Sequence, residues 1–334
     1  MAKERLHYID VAKGLLILMV VWGHYELMCR LCFGINDPTI NSLDSVEDLW
    51  VSFFMPAFFF LTGYCTNFSK RFIPFFVQGI KILIIPAVII NYTANIIEYL
   101  SWGESLLWIV KTSVKSFLLT CAGEWFVPSL FLARLIVWGL VRMKNSVVQL
   151  VLAVMMFFGG VVLYDCFPQI PEVWSYKHAL MMIIFMIVGD FLKNKNIQIY
   201  RVGGIQWIYI ILLVIMLLSG IGIPYITNRV SVELWQIPIV LLLALSGIQF
   251  IMYLSKKINC NSVLEYLGRN SLVIYLAHFI FYKIYLGLAA EWFGISPLIS
   301  VALFVGVIIV NIVSCCILAM VLNTRYFKWI LGKF

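Results

Sequence analysis

The chain has 334 residues, of which 63% are hydrophobic and only 12% are charged, and its mean hydropathy is +0.99. Average soluble domains are about one quarter charged, so this composition excludes a soluble enzyme and indicates a membrane protein. The formal net charge is +8. In membrane proteins Lys and Arg collect in cytoplasmic loops, so this surplus does not indicate nucleic-acid binding, and no nucleic-acid partner is expected.

Apolar segments of membrane-spanning length recur along the whole chain. A spanning helix needs roughly 20 mostly apolar residues. Such segments lie near residues 8–28, 48–66, 73–97, 124–142, 146–164, 177–193, 203–223, 233–254, 270–288 and 296–322. We therefore predict an all-α, polytopic integral membrane protein of about ten transmembrane helices, forming one domain over residues 1–334 and surrounded by membrane lipid.

The basic residues follow an alternating pattern between these segments. They concentrate in every second connection, as in Lys3 and Arg5, Lys70 and Arg71, Arg142 and Lys144, Lys193, Lys195 and Arg201, Lys256, Lys257 and Arg269, and Arg325, Lys328 and Lys333. The positive-inside rule then predicts that both termini are cytoplasmic. The first apolar run contains Asp10 and Lys13 and lacks a cleavage pattern, so it is expected to be a retained span. The stretch 104–120 carries Lys111 and Lys115 and is interpreted as an interfacial helix or an extra short span; crossing would invert the later alternation, which favours the interfacial helix.

The first span, DVAKGLLILMVVWGH (10–24), carries three ionisable side chains. At 100° per residue, Lys13 and His24 are three turns plus about 20° apart, so they share one face and lie about 16 Å apart along the axis. Asp10 lies near the same stripe. Ionisable groups in a membrane are costly and usually line a cavity or face protein. The alternatives are an interfacial ion pair for Asp10 and Lys13 and a hydrogen-bonded core histidine for His24.

Three further stretches carry polar or aromatic groups at membrane depth. His278 is a second membrane-embedded imidazole, which either lines the same cavity as His24 or is a core residue. Glu124 and Trp125 begin the fourth span, where the tryptophan is either part of the aromatic belt at the membrane surface or a stacking platform for a sugar. In FFMPAFFFLTGY (53–64), the internal proline and glycine predict a kinked, closely packed helix.

These stretches resemble the membrane-bound acyltransferase 3 family. DVAKG (10–14) followed by WGH (22–24) is similar to the family's first-span signature of a basic residue ahead of a histidine. FFMPAFFFLTGY, EWFVPSLF (124–131) and LGRNSLVIYLAH (267–278) are similar to its later motifs, in the same order. Among members, the chain looks most like carbohydrate O-acetyltransferases, such as fucose 4-O-acetylase-type enzymes and those that modify O-antigens and exopolysaccharides.

The resemblance implies a membrane-embedded O-acyltransferase that uses acyl-CoA, by default acetyl-CoA, and no metal. The acceptor would be a hydroxyl of an extracytoplasmic carbohydrate or lipid-linked glycan, with glycan-assembly proteins as further partners. His24 matches the essential histidine and would be the general base or a covalent acyl carrier. Lys13 would bind the donor phosphates, oriented by Asp10, while Trp125 and His278 would contact the acceptor. Glu124 matches no firm family pattern, so its expected contact with the acceptor rests on this sequence alone. The expected location is a bacterial-type inner (cytoplasmic) membrane.

A transporter or flippase for a lipid-linked saccharide is the competing hypothesis. The polar stripe of the first span would then be a substrate path or a proton relay. Many transporters contain internal repeats, and the sequence shows none. The chain also has few carboxylates within its spans, so the enzyme is the favoured interpretation.

Overall fold

The computed structural model describes residues 6–34, 45–101, 103–121, 125–201, 203–219, 222–226, 230–232, 234–294 and 301–333. Its α-helices in these ranges are α1 (His7–Phe33), α2 (Phe54–Cys65), α3 (Phe72–Gly79), α4 (Ile85–Ser101), α5 (Leu106–Thr120), α6 (Phe126–Leu140), α7 (Ser146–Asp165), α8 (Tyr176–Asn194), α9 (Ile205–Ser219), α10 (Ile237–Ile258), α11 (Ser262–Arg269), α12 (Ser271–Phe293) and α13 (Val301–Leu322). A π-helical turn, Ile80–Ile84, joins α3 to α4. Short 3₁₀ turns cover Ser45–Leu49, Val173–Ser175, Ile199–Arg201, Leu234–Gln236 and Lys328–Leu331.

In the described ranges, eight helical segments are long and apolar enough to cross a membrane. Two more apolar helices, α6 and α9, have 15 residues each, which is about 22 Å of helix, shorter than a hydrocarbon core of about 30 Å. These ten helices coincide with the ten predicted segments, and the all-α polytopic class is confirmed. A small antiparallel hairpin lies between α9 and α10 and is formed by β1 (Tyr225–Ile226) and β2 (Val230–Ser231).

The ambiguous stretch 104–120 forms α5, which is not among the apolar candidate spans. Of its described side chains only Ile109 is buried, while Leu106, Leu107, Val110 and Leu118 are exposed. Ser105 caps its start by accepting a hydrogen bond from the Trp108 amide. An interfacial position for α5 remains a prediction.

Two helices organise the bundle from its interior. α1 contacts α2, α10, α11, α12 and α13, and α8 packs against α2, α6 and α7. The outer helices α7 and α13 leave most of their residues at least partly exposed. This arrangement fits a protein that is surrounded by lipid, because apolar side chains on the outer surface of the bundle then do not need to be buried.

Glycines allow the closest helix crossings. A Cβ on Gly14 would lie 2.1 Å from the Leu264 carbonyl oxygen, and one on Gly268 would lie 1.9 Å from that of Asp10, so α1 and α11 meet backbone to backbone. Gly63 likewise lies against the Met186 carbonyl, where a Cβ would be 2.0 Å from the oxygen. The predicted close packing of 53–64 is therefore present. Pro56 lies in the first turn of α2, and the predicted kink stays a prediction.

The chain's described beginning and end lie at the same end of the bundle. Gly268, near the end of α11, packs on Asp10 near the start of α1. Asn323, which follows α13, donates a hydrogen bond to Asn270 Oδ1 at 3.0 Å. We name this the Lys13 end of the bundle. The opposite end, toward which His24 of α1 lies, is named the His24 end.

Polar contacts fix α12 against its neighbours close to His278. The Tyr282 hydroxyl donates to the Val21 carbonyl of α1 at 2.7 Å, and the Asn311 side chain of α13 donates to the His278 carbonyl at 2.9 Å. Tyr282 is fully buried. These two bonds hold α12 against α1 and α13, close to the place where His24 and His278 meet.

Replacing Tyr282 by phenylalanine is expected to remove one buried hydrogen bond and little else. Such a bond contributes about 0.5–1.5 kcal/mol, so the thermal midpoint of the detergent-solubilised protein should fall by about 1–3 °C. Scanning fluorimetry measures this change. An unchanged midpoint would mean that the bond between Tyr282 and Val21 does not stabilise the α1–α12 contact.

Candidate active site

The two intramembrane histidines lie side by side. His24 of α1 and His278 of α12 have ring centroids 5.0 Å apart in an edge-to-face arrangement, and the Phe279 ring lies within 4.7 Å of His24. His24 is partly buried and His278 is fully buried. Residues separated by more than 250 positions in sequence are thus brought into contact by the packing of α1 against α12.

Backbone hydrogen bonds fix the tautomer of both rings. His24 Nδ1 is 2.6 Å from the Val20 carbonyl oxygen, and His278 Nδ1 is 2.6 Å from that of Tyr275. A carbonyl oxygen only accepts, so each Nδ1 carries the proton and each neutral ring keeps its lone pair on Nε2. Among the described residues His278 Nε2 has no hydrogen-bond partner. The pair can therefore accept protons or hydrogen bonds through Nε2.

Lys13 lines a polar cavity at the opposite end of α1. The cavity has a volume of about 380 Å³ and its lining includes the cations Lys13, Lys70 and Arg134 and the amides Asn67 and Gln78. No carboxylate belongs to that lining as the described residues form it. Three cations without an acid make the cavity a site for an anion with several negative charges.

Arg134 is the most deeply placed of these cations. It is 4% exposed, its guanidinium lies 5.0 Å from the centroid of the Phe75 ring, and its Nε has no partner among the described residues. A Cβ on Gly79 of α3 would meet the Phe131 ring at 2.9 Å, so a glycine there lets α3 pack closely beside Arg134. A buried guanidinium in a span favours a bound anion.

A second cavity of about 580 Å³ adjoins the first and shares Cys65 and Asn67 with it. Its lining adds Arg142, Asp190 and Lys193, and the Arg142 guanidinium stacks 3.2 Å from the Trp138 ring centroid. Neither lining includes His24 or His278. The structure thus places Lys13 and the histidine pair in different surroundings, about 16 Å apart along α1.

The other predicted site residues have distinct positions. Asp10 is buried where α1 crosses α11. Trp125 precedes α6 and its ring lies 6.0 Å from that of Phe126, which in turn is 4.9 Å from Tyr275, close to His278. Trp125 is thus connected to the histidine pair by ring contacts. Glu124 lies outside the described residues, and its predicted role remains a prediction.

Several chemically notable residues were not predicted from the sequence. Arg134 is the one charged residue of FVPSLFLARLIVWGL, which is itself a usable signal. The carboxylate of Glu47 lies against Gly23, where a Cβ would be 2.5 Å from its carboxyl carbon. An acid thus lies beside the residue that precedes His24, and no local sequence pattern predicts that contact.

One group among the described residues could hold a metal ion. The ligand atoms of His7, Cys260 and Glu265 lie within 4.8 Å of one another. His7 Nδ1 is 2.9 Å from Glu265 Oε2, and both His7 and Cys260 are exposed. The group lies at the Lys13 end, away from the histidine pair, and belongs to the lining of neither cavity, so it has no part in the sites described above.

Comparison with known proteins places this geometry in a family. No curated protein and no solved structure matches the chain. The family model described as an acyltransferase domain matches residues 6–320, which include α1 through most of α13 and both histidines of the pair. Because this match covers nearly the whole sequence, the chain belongs to the acyltransferase 3 family and is a multi-pass membrane acyltransferase.

Proposed function

We propose that the protein transfers an acyl group, by default acetyl, from cytoplasmic acyl-CoA to a hydroxyl of an extracytoplasmic or lipid-linked sugar. The observation that carries this proposal is the separation of two sites along one helix. A cavity lined by three cations lies at the Lys13 end of α1, and two imidazoles with their Nε2 lone pairs available lie toward the His24 end.

The donor would bind at the Lys13 end. Acyl-CoA carries several phosphate charges, and Lys13, Lys70 and Arg134 supply positive charge without a competing carboxylate in the described lining. The basic loops belong to this end, so the positive-inside rule favours a cytoplasmic orientation for it. Acyl-CoA is present there, and its long pantetheine arm matches the separation of about 16 Å between Lys13 and His24 in order of magnitude.

The transfer step would take place at the histidine pair. His24 Nε2 accepts the proton of the sugar hydroxyl while the oxygen attacks the thioester carbonyl carbon. The carbon–sulfur bond then breaks, and the CoA sulfur leaves with the proton returned by the imidazolium. The products are a sugar ester and CoA with a free thiol. Attack by His24 itself, giving an acyl-imidazole that the sugar then cleaves, is the covalent variant.

His278 would orient the acceptor rather than take its proton. Substituting His278 by phenylalanine keeps a ring beside His24 and removes the Nε2 acceptor. We expect kcat/KM for the acceptor to fall roughly 2- to 10-fold, which corresponds to one neutral hydrogen bond, with KM for acyl-CoA unchanged. Steady-state kinetics that vary each substrate in turn measure this, and a loss as large as that of a His24 variant would contradict the assignment.

Transfer of labelled acetyl groups in proteoliposomes tests the function. Acetyl-CoA is supplied on one side of the membrane and a mixed pool of glycans on the other, with the unmodified protein and His24→Ala compared at equal folded amounts. Label on glycan, or slow thioester hydrolysis, only when His24 is present supports the acyltransferase. Glycan movement across the membrane without consumption of acetyl-CoA would instead support a transporter.

A further inference from the structure

His178 and Glu172 form an imidazole–carboxylate pair at the His24 end of the bundle. His178, in the first turn of α8, has its Nδ1 2.5 Å from Glu172 Oε1. Lys193, near the other end of α8, lines the larger basic cavity and lies about 22 Å from His178 along the helix axis. The pair therefore lies at the end opposite the donor cavities, where an extracytoplasmic acceptor would arrive.

The pair presents one hydrogen-bond acceptor to its surroundings. Burial raises the pKa of Glu172, but the hydrogen bonds from the His178 ring and backbone amide, together with the charge of Lys177, outweigh burial, so the pKa is lowered overall and the carboxyl is ionised. The carboxylate accepts, so Nδ1 carries a proton, and the tautomer of the imidazole that this bond selects has its lone pair on Nε2. His178 is 3% exposed, and within the described part of the chain its Nε2 has no partner.

A buried hydrogen-bond acceptor without a partner is costly to the folded protein. A bound group that donates a hydrogen bond would remove this cost. The surroundings indicate the class of that group, because the Trp125 ring lies 5.0 Å from His178 and the Tyr164 ring 5.4 Å. An aromatic face next to one well-oriented polar atom suits a sugar, which offers both apolar C–H faces and hydroxyl donors.

The pair is also connected to the proposed reaction centre. Ring contacts run from His178 to Trp125, from there to Phe126 and Tyr275, and from Tyr275 to His278, with centroid separations of 4.9–6.0 Å. A saccharide with more than one sugar unit could therefore contact both imidazole sites.

We propose that His178, Glu172 and Trp125 form an acceptor subsite for a carbohydrate. One sugar hydroxyl, other than the one that is acylated, donates to His178 Nε2 while the sugar ring packs on Trp125. Glu172 is a positioning residue that fixes the His178 tautomer. This inference rests on the proposed function and deepens it, because it assigns acceptor recognition to residues outside the His24–His278 pair.

A purely structural role for the pair makes a different prediction. Glu172 also accepts a hydrogen bond from the His178 backbone amide at 3.4 Å, so it helps to cap α8. The turn that brings it there contains Trp174 and Ser175, both with positive φ. Loss of a cap alone would lower stability and would reduce every activity of the protein in parallel.

The test combines sugar binding with kinetics. His178→Phe keeps an aromatic ring and removes the acceptor, and His178→Gln restores an acceptor oxygen. His7→Phe is the matched control, because it removes a similar histidine–glutamate pair, with Glu265, at the other end of the bundle. The probes are free di- and trisaccharides of neutral sugars, whose binding to the protein in nanodiscs is measured by calorimetry. The apparent KM values for the best-binding sugar and for acetyl-CoA are then measured.

We expect His178→Phe to weaken sugar binding and to raise the acceptor KM about tenfold, with acetyl-CoA KM and acceptor-independent thioester hydrolysis unchanged. His178→Gln should recover part of the loss, and His7→Phe should match the unmodified protein. Equal losses in all measurements, or no change in sugar binding, would overturn the subsite, as would failure of the unmodified protein to bind any of the sugars. If binding depends on His178 but label is never transferred, the subsite stands and the transferase proposal fails.

Discussion

Replacement of His24 by alanine is expected to abolish nearly all acyl transfer. A general base contributes about 10²–10⁴-fold to a reaction of this kind, and His24 Nε2 holds a lone pair because Nδ1 is bonded to the Val20 carbonyl. The loss should appear in kcat, with the KM for acetyl-CoA little changed, because the donor phosphates would bind about 16 Å away along α1. Single-turnover transfer from labelled acetyl-CoA measures it directly.

Two comparisons make the His24 result specific. His7→Ala removes an exposed imidazole from the other end of the same helix and should retain full activity. His24→Gln fills a similar volume without a base and should be as inactive as the alanine variant. If well-folded His24→Ala retained transfer within a factor of a few of the unmodified protein, His24 would be neither base nor acyl carrier.

Replacement of Arg134 by methionine is expected to weaken donor binding strongly. Hydrogen bonds to charged groups contribute about 1.5–3 kcal/mol, so the KM for acetyl-CoA should rise roughly 10- to 100-fold, while the KM for the acceptor stays constant. Lys13→Ala should act in the same direction. Calorimetric titration with CoA alone provides a readout that does not depend on catalysis.

The same substitution should not reduce stability. Arg134 is a buried cation whose Nε has no partner among the described residues, and replacing a buried charge by an apolar side chain of similar length is often neutral or stabilising. Arg201→Met is the matched control, since this guanidinium also lies near an aromatic ring, that of Tyr200, but is exposed and outside both cavities. An unchanged KM for acetyl-CoA in Arg134→Met would remove Arg134 from the donor site.

Much of the architecture follows from the sequence because it depends on local properties. Length and hydropathy locate spans one at a time, so the ten apolar segments coincide with ten helices. The shorter length of α6 and α9 was not predicted, because adjacent apolar loop residues extend a hydropathy window past the true end of a helix. The short hairpin between α9 and α10 was missed for a similar reason, since four paired residues leave little periodic pattern.

Within the site, the unusual groups are visible from the sequence: an acid, a lysine and a histidine on one helix, and a second histidine on a later one. Helical periodicity related Lys13 to His24 because both belong to α1. Three contacts became visible only in the fold: His24 meets His278, Arg134 shares a cavity with Lys13, and Glu172 bonds to His178 beside Trp125. The first two contacts join different helices, and the third depends on a left-handed turn. The spacing of residues along one helix does not specify how helices pack or how a connection bends.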